Sequence, residues 1–94
     1  MKEKLSCTGI VESCNAPDSA ADGKHGWFKL GKLVVTLDSG IHTPAQYALS
    51  IDFVGESQDT KFTVELNPIA AKEFLSAIQT ALSKGVKMGI LDES

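Results

Sequence analysis

Residues 26–38 read GWFKLGKLVVTLD, and the place where their apolar side chains change phase decides the fold. In an extended strand successive side chains point to opposite faces, so residues two apart share a face. Phe28 and Leu30 have one parity, whereas Leu33, Val35 and Leu37 have the other. Gly31 stands at the change. A bulge there inserts one residue and brings both sets onto a single face, which predicts one long strand. Trp27 then points the other way, towards the segment that precedes the strand.

Downstream, YALSIDFVG (47–55) alternates cleanly, with Tyr47, Leu49, Ile51 and Phe53 set against Ala48, Ser50, Asp52 and Val54. A polar turn, GESQDT, leads into KFTVELN (61–67), where Phe62, Val64 and Leu66 face inward and Lys61, Thr63 and Glu65 outward. These two strands form a hairpin. Upstream, KEKLSCTGIVES alternates loosely and predicts a strand from about Lys4 to Glu12, with Leu5, Cys7, Gly9 and Val11 on one side and Ile10 breaking the pattern. Between it and the long strand, CNAPDSAADGKHG is small, polar and turn-prone, and reads as a long surface loop.

Asn67-Pro68 opens a helix, since asparagine caps free amides and proline at the first helical position loses no hydrogen bond. From Ile69 to Lys84 the residues Ala71, Phe74, Leu75, Ile78, Ala81 and Leu82 make one apolar stripe, and Gly85 is placed to end the helix. The tail alternates Val86, Met88 and Ile90, so it either adds a short C-terminal strand or docks on a neighbour. The sum is β-β-β-β-α, an α+β domain: a four-stranded, mostly antiparallel meander sheet with one C-terminal helix packed on one face. A helix of that length is roughly 24 Å long and covers one face only. Ile10, Val34, Ala48, Val54 and Trp27 are expected on the reverse face. Burying them, or the tail, predicts a homodimer or higher homo-oligomer.

With 94 residues the chain is a single domain, 1–94, and 43% hydrophobic residues support a core of modest size. No apolar run approaches the ~20 residues of a membrane span. The N-terminus MKEKLSCTG lacks the apolar stretch of a signal peptide, so the expected location is cytoplasmic. The net charge is −3, and none of the nine basic residues is an arginine, the side chain best shaped for phosphate and guanine. The lysines are also scattered, which argues against a nucleic-acid surface. Cys7 and Cys14 read as ordinary thiols, with a disulfide closing a short loop, or a metal pair, as the alternatives.

Two places carry candidate chemistry. In LDSGIHTPAQYALSIDF (37–53), His42 follows Asp38 by four residues, so the acid could fix the tautomer of the imidazole. Tyr47 and Asp52 lie on the returning strand. The bland alternative is that His42 and Thr43 bond the loop backbone while Pro44 stiffens it. In GKHGW (23–27), His25 sits between glycines and before Trp27, where a ligand edge could stack on the indole; otherwise this is a flexible strand entry. There is no phosphate-cradling glycine motif, H-E-x-x-H, C-x-x-C or nucleophile elbow, and no cofactor is expected.

Gly26-Trp27-Phe28, then Asp38, His42 and Pro44, then Leu49, Ile51-Asp52-Phe53, then Val64-Glu65-Leu66 form a pattern. It resembles an uncharacterised family of short bacterial proteins, classed as a domain of unknown function, over about residues 3 to 83. Some relatives carry further histidines where Ser39 and Tyr47 stand here, so a metal site built on those is not implied for this chain. The resemblance transfers no activity. The expected function is therefore a small non-enzymatic binding or interaction protein that self-associates, its ligand or protein partner unspecified. The rival is a metal-binding protein or enzyme using His42 with Asp38 or Asp52.

Overall fold

The computed structural model describes residues 9–40, 47–57 and 60–92. Five strands and one helix follow in the order β1 (Ile10–Asn15), β2 (Ala20–Gly23), β3 (Gly26–Ser39), β4 (Tyr47–Gly55), β5 (Lys61–Leu66) and α1 (Pro68–Lys87). All pairings are antiparallel, with strand order β1-β3-β4-β5 and β2 beside β3. The architecture is the α+β domain read from the sequence. The four anticipated strands are β1, β3, β4 and β5.

The bulge falls where the phase change puts it. Leu30 pairs with Gly55 and Lys32 with Val54, so the ladder slips by one residue across Gly31. Leu33, Val35 and Leu37 then lie across from Phe53, Ile51 and Leu49, which in turn face Phe62, Val64 and Leu66 of β5. Leu30 joins this apolar face and is 7% exposed. The ring centroids of Phe53 and Phe62 lie 5.7 Å apart, a tilted contact within the favourable range for aromatic pairs.

Three expectations are corrected. The loop assigned to 14–26 contains β2, whose Ala20 to Gly23 pair with Lys29 to Gly26. Its side chains are too small to announce a strand; backbone pairing to β3 makes it one. β1 and β2 run in the same direction along one edge of β3, interrupted by a corner at 16–19 that stands opposite Leu30 and Gly31. In that corner the amide of Ala16 donates to the Gly31 carbonyl (3.1 Å) and the amide of Leu30 to that of Ser19 (2.8 Å). Second, Ile10 pairs with Leu37 and so lies on the helix-side face, leaving Val11 on the reverse. The ladder, not the local alternation, sets the face of an edge strand. The anticipated start of this strand at Lys4 lies outside the described residues.

Third, α1 runs through Gly85 to Lys87. At its start the Asn67 side chain accepts from the Ile69 amide at 2.7 Å, with Pro68 in the first turn, as anticipated. At its end Gly89, with φ 78°, turns the chain back. The amide of Ile90 donates to the Gly85 carbonyl (2.9 Å) and that of Gly89 to Val86 (3.0 Å), the paired bonds of a Schellman cap. Residues 88–92 therefore close the helix and form no strand. Gly85 is needed for close approach, because a Cβ there would meet the Leu91 side chain at 2.9 Å.

The core is thin. Among the described residues only Ala16, Leu30, Ala48 and Ile51 are buried apolar side chains, two of them alanines. The helix packs on β4 and β5, yet none of its residues is buried.

Candidate functional site

An apolar stripe on a helix folds because one side leaves water, so a stripe that stays wet is the first feature to explain. Phe74 turns towards the sheet and, with Ile51, Phe53, Val64 and Leu66, lines an open groove of about 260 Å³. The stripe stays partly wet along its length: Phe74 is 47% exposed, Leu75 and Leu82 55% each, and Ile78 42%. On the sheet side of the same layer, Ile10, Tyr47 and Phe62 are also exposed. Sequence reasoning took the stripe for core.

The reverse face is the more polar one. It carries Ser13, Lys32, Thr36, Ser50, Thr63 and Glu65 around half-buried Val34 and Val54, a sequence consequence of the same registers. Val11 is its exposed aliphatic residue on β1. Asp52 belongs to this face, where its carboxylate accepts from the Thr63 hydroxyl (2.8 Å) and lies 4.0 Å from the Lys61 ammonium.

The β2–β3 hairpin turns at Lys24-His25. It opens onto a groove of about 400 Å³ lined by His25, Trp27, Phe28 and Phe62, with Lys24 and Lys61 as its cations. The Trp27 indole is 73% exposed and so does not pack against the preceding segment. Aromatic surface beside lysine and histidine, with no acid in the lining, suits a planar or anionic group.

Of the six anticipated site residues, the five that are described do not converge. His25 and Trp27 meet at the hairpin. Asp38 lies eleven residues along β3 from Trp27, some 35 Å away at the rise of a strand. Asp38 pairs with Ala48 and Tyr47 with Ser39, so Asp38 and Tyr47 project from opposite faces. Asp38 accepts from its neighbour's amide, Ser39 N, at 2.7 Å. Asp52 stands four residues beyond Ala48 on β4, which separates the two acids by about 13 Å. His42, with Thr43 and Pro44, lies outside the described residues, as does Cys7; Cys14 is an exposed free thiol. No group of three metal-ligating side chains comes together among the described residues. Nor is any described helix long and apolar enough to cross a membrane.

A family model described as a family of unknown function (DUF6295) matches residues 6–91. No curated protein and no solved structure matches the chain.

Proposed function

Since the chain belongs to this family, whose description assigns no activity, we propose a function from its own surfaces: a small non-enzymatic interaction protein that self-associates. One observation carries the reading. A twenty-residue amphipathic helix has no buried residue, and its leucines at 75 and 82 remain more than half exposed. A monomer so arranged forgoes most of the stabilisation its helix could supply, at about 25 cal/mol per Å² of apolar surface left wet. Association returns it. The hairpin groove around His25 and Trp27, which adjoins the helix-side groove through Phe62, is the surface this reading offers a ligand or a protein partner. A bacterial, cytoplasmic setting belongs to the same proposal; the exposed thiol of Cys14 supports its cytoplasmic part alone, since it suits a reducing compartment.

The test is the mass in solution. Light scattering at tens of micromolar is expected to return at least twice the 10.0 kDa of one chain. A particle of one chain at that concentration would remove the proposal.

A further inference from the structure

We infer that two copies of the chain meet along α1 with the helices antiparallel, Leu75 of one against Leu82 of the other on both sides of a two-fold axis near Ile78. The inference rests on the self-association proposed above and adds the surface and its arrangement.

The stripe is a narrow ridge, half-buried at its two ends, Ala71 and Val86, and exposed between them at Leu75, Ile78 and Leu82. At 100° per residue, Ala71, Leu75, Ile78, Leu82 and Val86 fall within an arc of about 80°. Phe74 flanks that arc and is already engaged with β4 and β5 in the groove. Phe74 lines that groove yet is 47% exposed, much as Ile78 is at 42%, so the chain's own sheet leaves the whole stripe partly wet. The spacing of Leu75, Ile78 and Leu82, three then four residues, is that of a helix–helix seam.

The area is sufficient for a dimer. Counting Phe74, Leu75, Ile78 and Leu82 with Ile10, Tyr47 and Phe62 on the same side, the exposed fractions amount to roughly 700 Å², taking about 200 Å² for a large side chain. A standard stable interface buries about 800 Å² per partner.

Charge and shape choose the direction. The last turn of α1 carries Lys84 and Lys87, and its first turn has no acid. Parallel pairing would set two helix dipoles side by side in the same sense and gather four lysines at one end. Antiparallel pairing in the stated register separates them. It opposes the two helix dipoles and brings Lys72, on the flank of the seam, beside the second helix's C-terminal end, where the dipole is negative; Glu73 and Lys84 point away from the seam. Ala71 then faces Val86, a small residue against a larger one, which lets the two helices close at both ends of the seam.

Oxidative cross-linking tests this in a background where Cys7→Ser and Cys14→Ser remove the native thiols. Leu75→Cys and Leu82→Cys are prepared separately and together; both positions are exposed, and circular dichroism verifies folding. A mixture of the two single variants, and the double variant, should form covalent dimers at least about tenfold more abundantly than either single variant alone, because a disulfide demands close and oriented Cβ atoms. Self-cross-linking of each single variant would show parallel helices and overturn the arrangement. A dimeric mass with no cross-linking in any sample would place the contact on another surface, overturning this inference while the self-association stands. A one-chain mass overturns both.

Discussion

Gly89 holds φ 78° at the C-terminal end of α1, and the amides that follow it turn back to Val86 and Gly85. A side chain in that left-handed conformation costs about 1–2 kcal/mol, so Gly89→Ala should lower the urea unfolding free energy by that amount and Gly89→Asn by less. Equal losses for both variants would mean that the cap does not hold in solution. Trp27 offers a second reading at the same scale, as the chain's single tryptophan. Its indole is 73% exposed on the hairpin, away from the proposed seam. Its emission should be that of a water-exposed indole, quenched equally by acrylamide in the wild type and in a monomeric variant. A blue-shifted band that moves on dissociation would place Trp27 inside the contact between copies.

At the level of elements, one residue controls the register of the longest strand. Removing Gly31 would return Phe28 and Leu30 to the polar face while Leu33, Val35 and Leu37 stay on the other. Two large side chains lose roughly 3–5 kcal/mol of burial, a large share of the 5–15 kcal/mol that holds a small domain together. Deletion of Gly31 should therefore abolish cooperative thermal unfolding. Gly31→Ala should cost only about 1 kcal/mol, from the approach of its Cβ to Glu56 Cα at 3.3 Å. A deletion variant that melts like the wild type would show that the slip does not set the faces. This bulge was legible because the apolar pattern breaks at a glycine. The strand β2 was not, since Ala20, Ala21, Asp22 and Gly23 owe their conformation to ladder bonds with β3, which leave no trace in composition. Helix extension past Gly85 was hidden for a similar reason: that glycine serves the packing of Leu91, not a stop.

For the whole molecule, the helix stripe was fully legible and its destination was not. Leu75, Ile78 and Leu82 have the same spacing whether a chain's own sheet or a second copy covers them. Trp27 and Asp38, two of the anticipated binding residues, stand at opposite ends of the long strand β3, and His42 lies outside the described residues. If association sets the stability of the particle, Leu82→Glu should bury a charge without a partner and weaken the dimer by on the order of 100-fold, about 3 kcal/mol. Light scattering should then return 10.0 kDa at concentrations where the wild type is larger, and the melting temperature should fall with it. An unchanged mass and melting temperature would clear the helix of any part in assembly.

The corner at 16–19 divides one flank of β3 between two strands that answer to different mechanical loads. Traction applied at the N-terminus would unzip β1 bond by bond and then meet a hairpin whose turn is only Lys24 and His25, so rupture under force should come in two stages, the Trp27 end yielding last.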